Sequence, residues 1–194
     1  MDAYWWVVIF QRLEVKMDWL GEKNYVPKLS AQTVEFLEGV VTSESLVFET
    51  GSGNSTVWFA KRAKRVVSLE DHDDWYKKVQ KLLDKERLEN VTMYFDVEYE
   101  KKPLRSILKK EDMILYDIVL HDGPHGKERK ALLVKEVYHL VKLGGYLVLD
   151  DTDREPYKLN IQFLDYLGWE KTEIPFGYDA FGSGKNAVIY RRLK

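Results

Sequence analysis

The segment Leu46-Val47-Phe48-Glu49-Thr50-Gly51-Ser52-Gly53-Asn54-Ser55-Thr56 sets a carboxylate and two glycines between an apolar run and a helix-forming stretch. Gly51 permits a tight turn, and Gly53 lets backbone approach a ligand closely. Ser52, Asn54 and Ser55 complete a cradle whose N–H groups, at the start of a helix, face a crevice beyond the strand end. Glu70 closes the next apolar run, 21 residues after Glu49. A carboxylate there can accept hydrogen bonds from both hydroxyls of a ribose. Two glycines alone make an ordinary strand–helix turn. Strand, turn, helix, strand and acid in this order read as an adenosine site.

Charge separates the adenosine ligands. The dinucleotide fingerprint wants Gly or Ala three positions after its second glycine, where this chain has Thr56. Glu49 would repel a pyrophosphate and attract a ligand carrying an amino group and a sulfonium. The turn therefore favours S-adenosylmethionine over NAD.

A second group of acids lies further on. One apolar run ends in His121-Asp122-Gly123-Pro124-His125-Gly126, another in Asp150-Asp151-Thr152-Asp153-Arg154. Neighbouring parallel strands lie ~4.8 Å apart, so Asp122, Asp150 and Asp151 can converge beside the same crevice. Three carboxylates in one pocket raise each other's pKa unless a cation joins them. Oxygen-only ligation suits Mg²⁺ or Ca²⁺; the other reading pairs the acids with Arg154 and Arg129, without metal. A hydroxyl acceptor must lose a proton: a metal can lower its pKa, or a base can take it, and both Asp and His could serve, with His125, beyond the strand end, favoured over His121. His121, inside the strand, is expected to pack against the cofactor. Arg129 and Arg154 could hold an acidic or sugar substrate or form surface ion pairs.

Elements must place these groups on one edge. The runs Leu46–Phe48, Val66–Leu69, Val91–Phe95, Ile118–Leu120, Tyr146–Leu149 and Ala187–Tyr190 suit strands covered on both faces. Helical stretches cover about Ser30–Val41, Ser55–Lys64, Asp73–Leu88, Pro103–Lys110, Lys127–Leu143 and Glu155–Leu167, with Ser30 a good N-cap. The alternation implies right-handed βαβ units and a mostly parallel sheet. Glu170–Pro175 and Ala187–Arg191 have no long helix between them, so they read as an antiparallel hairpin at the sheet edge. The intervening glycine-bearing loop, Phe176–Lys185, is either a long turn or a flap over the acceptor.

The 194 residues fit one domain. The chain has no cysteine, which excludes disulfide scaffolds, thiolate metal sites and a cysteine nucleophile. A net charge of −2 argues against a nucleic-acid coat or polybasic membrane anchor. The longest apolar run, Ala3 to Phe10, is too short to cross a bilayer and follows Asp2 rather than a basic region. A soluble, cytoplasmic protein is expected, with no nucleic-acid or membrane partner. The aromatic start, with Tyr4, Trp5, Trp6, Phe10 and Trp19, could cover the sheet, line a substrate mouth or form a homo-oligomer contact.

Glu49–Thr56 resembles motif I of the class I S-adenosylmethionine-dependent methyltransferases, and Val66-Val67-Ser68-Leu69-Glu70 resembles their ribose-binding motif. The Gly-Ser-Gly-Asn-Ser-Thr variant, followed by Glu70-Asp71-His72-Asp73-Asp74-Trp75-Tyr76, is similar to a group of small bacterial and archaeal methyltransferases. The family's third glycine is Ser55 here, also small. The resemblance covers roughly residues 30–194. It implies an α/β fold, Rossmann-like and doubly wound, with a mostly parallel seven-stranded sheet and a C-terminal antiparallel hairpin. Residues 1–194 would form a single domain, with 1–29 an aromatic-rich extension on the 30–194 core. It further implies that Glu49 orients the methionine amino group and that Gly51, Ser52 and Gly53 pass beneath methionine and ribose. Glu70 would hold the ribose, Asp96 would meet the adenine amino group, and Asp71 and Trp75 would flank the adenine; Trp75 equally suits core packing.

The acids Asp122, Asp150 and Asp151 resemble the divalent-metal ligands of cation-dependent O-methyltransferases. Asp122-Gly123-Pro124-His125-Gly126, with Arg129, is similar to a motif of sugar and polysaccharide O-methyltransferases. The expectation is O-methylation of a small molecule or sugar hydroxyl, with S-adenosylmethionine as cofactor, Mg²⁺ as a candidate aid, and Asp122, His125 and Asp151 catalytic. The alternatives are an NAD-dependent oxidoreductase and a non-catalytic S-adenosylmethionine-binding protein.

Overall fold

A strand made of consecutive apolar residues buries both faces, so it must sit inside a sheet that helices cover on either side. The computed structural model has this arrangement and describes residues 20–21, 23–124, 127–155 and 157–194. The aromatic residues expected to cover or line the protein from the N-terminus lie outside the described residues.

Seven strands form one sheet: β1 (Leu46–Thr50), β2 (Arg65–Glu70), β3 (Val91–Phe95), β4 (Tyr116–His121), β5 (Val141–Asp150), β6 (Glu170–Tyr178) and β7 (Gly184–Arg191). Their order is β3-β2-β1-β4-β5-β7-β6. The first five run parallel; β7 lies antiparallel between β5 and β6. The order reverses between β1 and β4, which opens a crevice beyond their carboxyl ends. The expected doubly wound sheet and terminal hairpin are both present.

Among the described residues five α-helices flank the sheet: α1 (Ala31–Val40), α2 (Asn54–Ala60), α3 (Asp73–Glu86), α4 (Lys127–Val137) and α5 (Tyr157–Tyr166). Side chains alternate across the strands. Val47, Ile118, Leu120 and Val148 pack on one face with Leu37 of α1 and Trp58, Phe59 and Ala60 of α2. Phe48, Val119, Leu147 and Leu149 pack on the other with Leu133, Val134 and Val137 of α4 and Tyr157 and Leu164 of α5. Ser30 caps α1 as expected, its hydroxyl accepting the Thr33 N–H at 3.2 Å. Among the described residues, no helix is long and apolar enough to cross a membrane.

Three expected boundaries move. The helix expected over Pro103–Lys110 is absent; 3₁₀ turns at Leu104–Ser106 and Lys110–Asp112 replace it. The Lys109 N–H donates to the Tyr94 hydroxyl at 3.0 Å, so a helical hydrogen bond is replaced by one to β3. The helix expected over Lys127–Leu143 ends at Val137, continues as a 3₁₀ turn to Leu140, and yields to β5 at Val141. Val141 pairs with Tyr116, and Gly144, at φ +81°, donates its N–H to the Arg192 carbonyl. Helix α2 stops at Ala60 because Asn90 Nδ2 binds the Ala60 and Ala63 carbonyls at 2.9 and 3.0 Å.

The segment Phe176–Lys185 is hairpin rather than flap. Strand β6 runs to Tyr178 and β7 starts at Gly184. Asp179 Oδ1 ties the turn by accepting the Phe181 and Ser183 N–H groups, each at 2.8 Å.

Candidate active site

Strand β1 ends beneath the crevice, and the chain reverses at Gly51 with φ +84°. A Cβ built at Gly51 would stand 2.8 Å from the Gly123 backbone nitrogen. The position thus needs glycine twice, for its left-handed backbone and for its contact with the loop after β4. That contact is reinforced by the Asp122 and Gly123 N–H groups, which donate to the Thr50 carbonyl at 3.1 and 2.7 Å.

The turn is held by Glu70 at the end of β2. Glu70 Oε2 accepts both the N–H and the hydroxyl of Ser52 at 2.8 Å, and Oε1 accepts the Asp71 and His72 N–H groups at 3.0 and 2.9 Å. Burial pushes its pKa up, and these donors offset part of the rise. The Trp75 indole donates to the Ser52 carbonyl at 2.6 Å, which assigns it a bracing contact. Gly53 donates its N–H to Thr56 Oγ1 at 2.9 Å. Asn54 turns its side chain the other way: Oδ1 accepts the Gly21 N–H at 2.8 Å and Nδ2 donates to the Val26 carbonyl at 3.2 Å. Its carboxamide therefore fastens the residues that precede α1 onto the glycine turn.

Glu49 differs from Glu70. It is completely buried, and neither carboxylate oxygen has a hydrogen-bond partner. Desolvation pushes its pKa up to about 7; the Asp122 charge adds to the rise, while the nearby Thr56, Ser55 and Ser68 hydroxyls offset part of it. A buried carboxylate met by hydroxyls alone is the kind of group that a ligand's cationic end can satisfy.

At β3, the carboxylate of Asp96 is engaged elsewhere. It accepts two hydrogen bonds from Lys102, at 2.8 and 2.6 Å, and the Glu98 N–H at 2.9 Å. Partial burial raises its pKa, but these partners outweigh that and leave it below the usual value. Asp71 follows Glu70 and is buried.

The acid edge forms as the sequence anticipates. Asp122, Asp150 and Asp151 offer carboxylate oxygens that all lie within 4.8 Å of one another. Asp151 adopts φ +59°, an unusual backbone for a non-glycine residue, and its N–H is held at 3.0 Å by the Asn186 carbonyl. The Thr50 hydroxyl donates to the Gly123 carbonyl at 3.1 Å and lies 2.7 Å from His121 Nδ1. His121 is buried, edge-on to Tyr157, with ring centroids 6.2 Å apart. His125 and the Arg129 side chain lie outside the described residues.

Three participants were not singled out from the sequence. Lys185 Nζ, from β7, donates to Asp150 Oδ2 at 2.7 Å and Asp151 Oδ1 at 2.9 Å. Burial lowers its pKa, but Asp122, Asp150 and Asp151 more than compensate, so the ammonium is held well above its usual value. Arg154 meets Asp151 Oδ2 at 2.6 Å, as the sequence allowed. The Tyr157 hydroxyl is buried without a hydrogen-bond partner, and burial together with the three aspartates raises its pKa strongly. Thr50 is the third, as the link between β1 and β4. The available signal for Lys185 was a lysine two residues before the wholly apolar run Ala187–Tyr190.

The donor set decides what each region can hold. Glu49, buried and met by hydroxyls alone, fits a ligand with a cationic amino-acid end. The acid edge has the oxygen spacing of a divalent-cation site, but an ammonium already bonds two of its three members. The residues present therefore do not fit a resident Mg²⁺.

Comparisons with known proteins identify the family. A family model described as a methyltransferase domain matches residues 48–152, more than half of the chain. No curated protein matches. Similar solved structures include an rRNA methylase from Streptococcus thermophilus, 15% identical, covering 84% of this chain and 95% of that one, with TM-score 0.62. A precorrin-6y C5,15-methyltransferase from Geobacter metallireducens is 16% identical, covering 84% and 86%, also with TM-score 0.62. A Streptococcus mutans protein assigned to the methyltransferases and solved in complex with SAH is 14% identical, covering 81% and 94%, with TM-score 0.61. At these identities the solved structures speak for the fold, and the family match speaks for the chemistry. The chain belongs to the class I S-adenosylmethionine-dependent methyltransferases.

Proposed function

We propose that this methyltransferase acts on a hydroxyl oxygen of a small molecule or sugar, with Asp122 as the proton acceptor. The observation that carries the reading is the place of Asp122: partly exposed after β4, among three carboxylates, and joined to the glycine turn through Gly123 and Gly51. A pocket with three carboxylates and two cations repels a phosphate backbone, which argues for a small acceptor over a nucleic acid.

S-adenosylmethionine, when bound, supplies a methyl carbon activated by a sulfonium. Glu49 provides negative charge for the methionine ammonium. Glu70 and the turn residues Ser52 and Gly53 would receive the ribose, with a ribose hydroxyl replacing the Ser52 hydroxyl at Glu70. At the acceptor, Asp122 takes the hydroxyl proton as oxygen bonds to the methyl carbon and the carbon–sulfur electron pair returns to sulfur. No further group is asked to change charge; the remaining work is alignment, worth up to ~7–11 kcal/mol.

Calorimetric titration with S-adenosylhomocysteine, followed by methyl transfer from S-adenosylmethionine to a panel of phenols, catechols and sugars, tests the reading. Saturable one-site binding and turnover on a hydroxyl compound are expected. Transfer only to amines or to RNA would overturn the acceptor class.

A further inference from the structure

We propose that Lys185 is the resident cation of the acid edge, held covalently by strand β7, so that the protein takes no divalent metal there. The inference goes beyond the acceptor class and rests only on the site geometry.

Two acids at the end of β5 and one after β4 are brought within 4.8 Å, and Asp150 is completely buried. Such carboxylates need a compensating positive charge. Two devices could supply it, an ion from solution or a side chain from a neighbouring strand. Strand β7 supplies a side chain. Asp150 pairs with Ala187 across the sheet, which brings the start of β7 beside the acids. The Lys185 ammonium reaches Asp150 and Asp151 at 2.7 and 2.9 Å, with its side chain only 10% exposed. Arg154 covers the second oxygen of Asp151. On the helix side the pocket is walled by Tyr157, whose hydroxyl makes no hydrogen bond to the carboxylates.

An ammonium differs from Mg²⁺ in what it can do. It carries one charge, has no open coordination position, and cannot bind the acceptor oxygen as a Lewis acid. Lys185 is therefore a positioning residue: it fixes Asp150 and Asp151 and leaves the proton to Asp122.

Mn²⁺ serves as the probe, followed by its electron paramagnetic resonance signal, in the wild-type protein, Lys185→Ala, Lys185→Met and Lys185→Arg. The wild type and Lys185→Arg should show no saturable site. Lys185→Ala and Lys185→Met should each gain one saturable site. The double variant Lys185→Ala with Asp150→Asn should lose it again. A saturable wild-type site abolished by Asp150→Asn would overturn the proposal, and so would a folded Lys185→Ala that binds no Mn²⁺. Should both neutral variants fail to fold, the wild-type titration still decides. Binding of S-adenosylhomocysteine, measured alongside, separates failure here from failure of the methyltransferase site.

Discussion

The two halves of the crevice satisfy buried carboxylates by opposite means. At the β1–β2 end, Glu70 is surrounded by neutral donors, four hydrogen bonds from Ser52, Asp71 and His72. At the β4–β5 end, Asp150 and Asp151 are met by full positive charges from Lys185 and Arg154. Neutral donors hold a shape without fixing a charge, which suits the side proposed to accept a ribose by exchange of one hydroxyl. Ion pairs fix both, which suits the side proposed to orient a proton acceptor. Glu49 stands between the two regimes, buried like Asp150 but with only hydroxyls nearby.

The largest test of this contrast is Asp122→Asn. It should lower kcat by about 10²- to 10⁴-fold while leaving S-adenosylhomocysteine affinity unchanged. An equal loss in both would move Asp122 from the acceptor side to the cofactor side.

Glu49 makes the next prediction. Its pKa is pushed up to about 7 in the fold from an ordinary 4.5, so the native state keeps a proton that the unfolded chain releases. Stability from this group is fully present below about pH 4.5 and is lost as pH rises to about 7, by about 3 kcal/mol in all. Chemical denaturation of the ligand-free protein across that range should show the fall, and Glu49→Gln should flatten it. S-adenosylhomocysteine carries an ammonium, so its affinity should rise about tenfold from pH 6 to 8 in the wild type and stay level in the variant. A wild-type affinity independent of pH would remove the pairing.

The smallest expected effects compare two acids on the cofactor side. Glu70→Ala should weaken S-adenosylhomocysteine binding by more than about tenfold, because it releases the turn as well as the ribose contact. Asp96→Ala should change it by about threefold or less, since that carboxylate is engaged by Lys102 and the Glu98 N–H. The reverse ranking would restore Asp96 as the adenine contact and demote Glu70 to a brace.

What could be read from the sequence was local. The β-branched runs around Val47, Val66, Ile118 and Val148 identified the buried strands, because continuous apolarity has few other uses at that length. The glycine turn and its acid partner were legible for the same reason. The boundary at Val141 was not, since Val141 and Leu143 continue the apolar stripe of the preceding helix, and pairing with Tyr116 decides the matter. The non-helical 103–110 segment depends on the Tyr94 hydroxyl, fifteen residues before its partner Lys109. Lys185 acts on acids 34 and 35 residues earlier. The sequence showed that the acid group needed a cation; the strand order β5-β7-β6 determines which side chain arrives.

The contact between Gly51 and Gly123 has a mechanical meaning. A Cβ at Gly123 would lie 2.6 Å from Gly51 nitrogen and 2.5 Å from the Tyr99 hydroxyl, so two main chains and a phenol close on one another with no room for a spacer. The spacing between the glycine turn and the loop that carries Asp122 is then gauged by hard-core repulsion between backbones. Such a stop does not change with rotamer, ionisation or temperature as a side-chain contact would. On the proposed reading it limits misalignment in a reaction where an ångström of misplacement costs about a hundredfold in rate.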